Sequence, residues 1–255
     1  MTHPPTSGQV VAALYDVHGN LPALEAVLAE VRAARVDALV VGGDIAPGPM
    51  AREVLECLTS LELPVRFLHG NGDRAVVSAL RGESLGNLPA VAVEAIQWSA
   101  GQLAEHLDVL ASWPPTLRLS ISGVGEVLFC HATPRNDTEI FTARTSEAVL
   151  QPVFAGLDVD LVVCGHTHIP FDRTVGAVRV VNAGSVGMPF GAAGADWLLL
   201  GPGIEHRHTS YDLAAAAARI RATAYPQADD FAERYVLHPP SAEAMLDVYA
   251  RSELR

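Results

Sequence analysis

The chain has 255 residues, 49% of them apolar and 18% charged, with a formal net charge of −12. That length allows one large α/β domain or two small ones with a sizeable core, and the composition excludes a disordered chain. The acidic balance, with 17 basic residues that are all arginine, argues against wrapping nucleic acid by counterion release.

Residues 9–16, QVVAALYD, read as a buried strand, and 21–35 carries apolar residues at helical spacing with Pro22 suited to a first turn. A strand is predicted over 37–44, a helix over 50–61, a strand over 65–69 and a long helical region over 89–111. This β-α-β-α-β alternation with near-continuous apolar strands predicts a mainly parallel sheet covered on both faces. The second half turns strand-rich, with strands over 117–122, 126–132, 161–166 and 196–201 and a hairpin over 173–185. One helix, 146–157, interrupts it, and the segment from about 212 to 255 reads as helical. No linker or repeat divides the chain. The expectation is one domain over 1–255, a four-layer α/β/β/α sandwich of two packed mixed sheets flanked by helices.

Cys57, Cys130 and Cys164 form neither a disulfide framework nor a Cys-x-x-Cys site, and the latter two read as buried thiols. The leading stretch MTHPPTSGQV has neither a basic nor an apolar signal region, and no apolar run reaches about 18 residues. A cytoplasmic protein that does not span a membrane is expected. Oligomeric state leaves no trace in the sequence.

The strand ends carry the chemistry. Strand 9–16 ends in Asp16-Val17-His18-Gly19-Asn20, and strand 37–44 in Gly42-Gly43-Asp44. Strand 65–69 runs into His69-Gly70-Asn71-Gly72-Asp73, strand 126–132 contains His131, and strand 161–166 ends in Gly165-His166-Thr167-His168. Ligands of open α/β sheets bind outside the carboxyl ends of the strands. An Asp or a Gly-Asn-Gly there is often only a cap or a turn. Five such ends together point instead to metal. Asp16 and His18, like His166 and His168, stand at i and i+2 and face one way if the backbone is extended. Carboxylate, amide and imidazole suit Mn, Fe, Zn, Co or Ni. Two ions about 3.5–4 Å apart clamp a phosphoryl group for in-line attack, and Asp44 is placed to bridge them.

The order D-x-H, G-G-D, G-N-x-D, a lone His and G-H-T-H resembles the calcineurin-like metallophosphoesterases over about residues 9–190. HATPRND and VVNAGSVGMP resemble the small bacterial phosphodiesterase branch. The resemblance implies one metal on Asp16, His18, Asp44 and His168 and another on Asp44, Asn71, His131 and His166. Manganese is the first expectation. A bridging hydroxide would attack phosphorus, with Asp44, Asn71 and His131 as catalytic residues. Asn20, Asn136 and Arg74 are candidate phosphate contacts.

One position departs from the family. Many members have Gly-Asn-His in the third motif, the His protonating the leaving group, whereas position 72 here is Gly. That predicts phosphodiesterase activity on a small diester such as a cyclic nucleotide, without tight nucleic-acid binding. His69 is a possible substitute acid, and Asp73 a helix cap. His206 and His208 read as edge-strand residues. The alternatives are a phosphomonoesterase of the same fold and a non-catalytic metal-binding interaction scaffold.

Overall fold

The computed structural model describes residues 9–254. The expectations for the leading stretch fall largely on residues 1–8 and to that extent lie outside the described residues. Ten strands form two five-stranded mixed sheets among the described residues. The first contains β1 (Val11–Leu14), β2 (Ala38–Val41), β3 (Val65–Phe67), β9 (Ala195–Leu200) and β10 (Ile204–Thr209), in the order β10-β9-β1-β2-β3. The second contains β4 (Thr116–Ile121), β5 (Gly125–Cys130), β6 (Leu161–Cys164), β7 (Phe171–Val175) and β8 (Val178–Asn182), in the order β4-β5-β6-β8-β7. β1, β2 and β3 run parallel, as do β5, β6 and β8; antiparallel pairs close both edges of the second sheet and the β10 side of the first.

Strand alternation builds three core layers. Val11, Ala13, Tyr15 and Val40 point between the sheets to meet Phe129, Val163 and Val181. Ala12, Leu14, Leu39 and Val41 point outward under α1 (Leu21–Ala33), α2 (Ala51–Thr59), α3 (Asn71–Leu80) and α4 (Ala90–Leu103). On the far side, α6 (Glu147–Phe154) covers Val162, Cys164 and Val180. Burial on both faces is why these strands read as continuous apolar runs rather than alternating ones. Cys130 and Cys164 are buried free thiols, as expected.

The helical region 89–111 resolves into α4, a 3₁₀ turn and α5 (Leu107–Ala111). The C-terminal segment contains α7 (Leu213–Arg221), α8 (Ala228–Phe231), a π-helical turn at Ala232–Leu237, and α9 (Ala242–Tyr249). Ala216, Ile220 and Phe231 enter the same core as α1 to α4. No helix among the described residues is long and apolar enough to cross a membrane.

The predicted strands run too far at their carboxyl ends, and this changes the geometry behind the i and i+2 argument. Asp16, His18, Asp44, His166 and His168 have φ of +53°, +45°, +53°, +66° and +57°. None is extended, so the pairs converge through left-handed turns and not through strand alternation. Among the described residues only Arg35 joins them as a non-glycine at positive φ. Each such residue costs about 1 kcal/mol or more and persists where its surroundings over-determine it.

Candidate metal centre

Beyond the strand ends the first two loops stay in register: Asp16 N–H donates to Gly43 O, His18 N–H to Asp44 O and Gly19 N–H to Ile45 O. This carries Asp16, His18 and Asp44 to one point above the sheets. The second sheet delivers His131, His166 and His168 to the same place. Asp16, His18 and His168 form one buried group whose ligand atoms lie within 4.8 Å of one another, and Asp16, Asp44 and His131 form another. Asp16 Oδ1 is 3.2 Å from His168 Nε2 and 3.8 Å from the Nε2 atoms of His18 and His131. Asp44 Oδ2 lies 3.7 Å from His18 Nε2 and 3.5 Å from His131 Nε2.

Hydrogen bonds at the rear fix the chemistry of the front. His18 Nδ1–H donates to Pro47 O at 3.2 Å, His131 Nδ1–H to Gly42 O at 2.9 Å, and His168 Nδ1–H to Met188 O at 2.8 Å. A carbonyl can only accept, so in each neutral ring Nε2 carries the lone pair and points at the cluster. His18 Nε2 and His168 Nε2 then face each other at 3.3 Å, acceptor against acceptor. The carboxylates follow the same rule. Asp16 Oδ2 accepts from His166 N–H and Asp44 Oδ1 from Gly72 N–H, leaving one oxygen of each turned inward. Asp16 Oδ1 is buried with no hydrogen-bond partner.

Asn71 and His166 stand at the edge of this cluster. One end of the Asn71 amide lies 2.9 Å from His166 Nδ1 and 3.2 Å from His131 Nε2. With oxygen at that end it faces acceptors only, an arrangement a cation would stabilise; with nitrogen there it donates to both. The converging lone pairs, the orphaned Asp16 oxygen and the borderline ligand set fit divalent transition metals.

Burial disfavours a proton on His131, but the charges of Asp44 and Asp16 win and raise its pKa to about 10 in the metal-free cluster. Burial and the neighbouring His131 push His166 down to about 4. Asp73 is more than the expected cap. Its carboxylate accepts from the backbone N–H groups of Gly70, Asp44 and Ala46, tying the second and third loops together. Burial and the charge of Asp44 raise its pKa to about 7.

The candidate substrate contacts fare differently. Asn20 is fully buried; its oxygen caps α1 at Ala23 N–H and its amide donates to Gly187 O, so both ends of the side chain have partners inside the protein. Asn136 is exposed, and its side-chain oxygen closes an Asx turn onto Thr138 and Glu139. Arg74 lines the cavity of about 360 Å³ that opens on His18, Asp44 and Asn71, and Asp137 holds its guanidinium through bonds of 2.7 and 2.8 Å. His69 sits 3.5 Å from Asp137 and lines a different cavity, beside Leu110 and Trp113. His206 and His208 lie on edge strand β10, bound to Asn182 O and to Asp196. Sequence reasoning missed Asp137 and Phe190, which stacks on His168 with ring centroids 5.0 Å apart. Asp137 lies in the HATPRND run, but nothing in its spacing marks it.

Gly72 has a packing reason. A Cβ there would stand 2.3 Å from Ala46 O and 2.8 Å from Pro47 Cδ. The loop after β2 fills the space a histidine would need. Gly72→Ala is expected to cost about 1–3 kcal/mol by overpacking, read by chemical denaturation of metal-free protein. An unchanged midpoint would mean that the loop gives way freely.

A model of the calcineurin-like phosphoesterase superfamily domain matches residues 10–200, and the chain belongs to that family. An uncharacterised protein of Methanocaldococcus jannaschii is 29% identical over 179 residues, 69% of this chain and 70% of that one. A metallophosphoesterase structure from Sphaerobacter thermophilus has 28% identity and a TM-score of 0.71, covering 90% of this chain and 98% of that one. The structure of a hypothetical protein from Pyrococcus horikoshii has 19% identity and a TM-score of 0.76, covering 91% of this chain and 99% of that one, and shares the fold. Family and cluster together make this protein a metal-dependent phosphoesterase.

Proposed function

We propose that the protein hydrolyses small phosphodiesters, cyclic nucleotides among them, with two divalent ions, manganese first. One ion would rest on Asp16, His18, Asp44 and His168, the other on Asp44, Asn71, His131 and His166. When bound, such a pair supplies Lewis acidity and brings the pKa of a water towards neutrality. The chain's own groups do the rest. Three backbone carbonyls hold imidazoles in the tautomer that offers Nε2. Asp73 fixes the backbone N–H of Asp44, and Gly72 N–H orients the Asp44 carboxylate. Arg74, positioned by Asp137, offers a fixed positive charge to a phosphoryl oxygen at the cavity mouth.

The diester reading rests on one observation: position 72 has no room for an acid that could protonate a departing oxygen. Arg74 cannot serve, because a guanidinium does not give up its proton near neutral pH. Esters whose leaving group departs unaided are then favoured. The test is metal-stripped protein reloaded with manganese, assayed on bis-p-nitrophenyl phosphate, on p-nitrophenyl phosphate and on a series of aryl diesters. Diester cleavage is expected to exceed monoester cleavage, and because both substrates release the same p-nitrophenolate, the missing acid is read from the aryl series. Rates should also fall steeply as the leaving group becomes more basic. Equal or faster monoester cleavage would overturn the diester reading.

A further inference from the structure

The cavity beside Arg74 is not the only one that opens on the metal cluster. A second, of about 300 Å³, shares His18, Pro47 and Ala92 with it and runs the other way, towards the C-terminal segment. The two therefore share a junction at His18, Pro47 and Ala92, beyond which their linings have no residue in common. Their walls differ. The first is aliphatic, with Leu85, Leu88 and Ile96 beside Ser78 and Arg74. The second is aromatic, lined by Tyr225, Phe231 and Tyr235.

The aromatic wall is built in advance. Phe231 packs edge-on against Tyr225 and Tyr235, with centroids 6.3 and 5.5 Å away. Tyr225 O–H donates to Gln227 Oε1, and Gln227 Nε2 reaches back to Val91 O and Glu94 on α4. Arg234 lies over the Tyr235 ring at 5.8 Å, with Asp230 at 3.5 Å from its guanidinium. Arg234 and Tyr235 fall in the π-helical turn Ala232–Leu237, a local geometry found often at functional sites. Two of the four exposed large hydrophobics among the described residues line these cavities, Leu88 in the first and Val91 in the second. Exposed apolar groups gathered around a reactive centre mark a ligand surface.

We propose that the natural substrate is an open-chain phosphodiester whose planar aromatic arm, of the nucleobase type, lies in the Tyr225–Phe231–Tyr235 cleft. Its second arm lies in the aliphatic cleft beside Arg74. The proposal rests on the diesterase reading and narrows it. A cyclic diester is one compact body and fills one cleft; two clefts sharing one junction fit two arms. Aromatic walls and an overlying arginine accept a flat π-surface with little regard to its edge. The charge-balanced Arg234–Asp230 rim gives no track for a polyanion, so the substrate is small.

The test compares adenosine 5′-monophosphate with ribose 5-phosphate by calorimetry on manganese-loaded protein, in wild type, Tyr235→Ala, Tyr235→Phe and Arg234→Ala. Arg234 is surface-exposed, so its variant folds even if Tyr235→Ala does not. Wild type is expected to prefer the base-bearing ligand by about tenfold or more. That preference should fall towards unity in both alanine variants and survive in Tyr235→Phe. Equal affinities in wild type, or a preference unaltered by either alanine variant, would overturn the cleft assignment. Kinetics then test the arms. The kcat/KM ratio for thymidine 5′-monophosphate p-nitrophenyl ester over methyl p-nitrophenyl phosphate should drop about tenfold in Arg234→Ala. Faster wild-type cleavage of a 2′,3′-cyclic nucleotide than of the open-chain nucleotide ester would overturn the two-arm reading. Failure of the underlying diesterase reading looks different: neither diester is turned over, while the base-dependent binding preference persists.

Discussion

Asp44→Ala is expected to lower turnover of bis-p-nitrophenyl phosphate by about 10³-fold or more, the rate equivalent of the several kcal/mol that metal charge supplies in a transition state. Asp16 Oδ1 lies 3.8 Å from both His18 Nε2 and His131 Nε2, one from each proposed metal set, and Asp44 Oδ2 comes closer to the two, at 3.7 and 3.5 Å. Removal of the Asp44 carboxylate should therefore reduce the bound metal from two ions to one or none, read by elemental analysis after gel filtration. The fold should persist, because Asp73 holds the Asp44 backbone N–H and not its side chain. Alanine is poorly suited to a φ of +53°, so Asp44→Asn is the companion variant, tolerating that conformation while losing the charge. Retention of both metals in Asp44→Ala would sink the bridging assignment.

Metal loading is expected to depend steeply on pH. In the metal-free cluster burial works against a charged His131, yet Asp44 and Asp16 hold its proton up to about pH 10. A metal must displace that proton, so manganese affinity should rise about tenfold per pH unit for each proton released, from about pH 6 to about pH 9. Calorimetry in buffers of different ionisation enthalpy should give release of about one proton or more at neutral pH. Binding without proton release would contradict the electrostatics described. Stability carries the same sign. The folded pKa of His131 lies above the ordinary histidine value of 6.5, so its stabilisation of the metal-free protein is fully present below that value. It is lost as pH rises through about 10, and bound metal should remove this dependence.

The order of elements was legible because the strands of the interior are buried on both faces and helices such as α1 and α2 on one. Apolar runs such as ALVV in β2 and LVVC in β6 could only be buried strands, and the alternation with helices implied covered, largely parallel sheets. The chemistry-bearing strand ends were legible too. A chain rarely places Asp, His and Asn after five buried strands unless they meet. Strand length was less legible, because the pattern of apolar residues does not reveal where φ turns positive.

By itself, then, the sequence determined the two-sheet sandwich, the family resemblance and the seven side chains placed at one edge. Tertiary structure decided what each polar residue does there, because a hydrogen-bond partner is a fact of three dimensions. Asn20 and Asn71 are both asparagines at loop–helix junctions, yet one is consumed by Gly187 O and the α1 cap while the other faces His131 and His166. His69 and His131 both follow strands, yet His69 is drawn aside to Asp137. The reason Gly72 must be glycine lies in the Ala46 carbonyl, 26 positions earlier (72 − 46), and the aromatic cleft is made by residues more than 200 positions from His18 that only folding brings beside it.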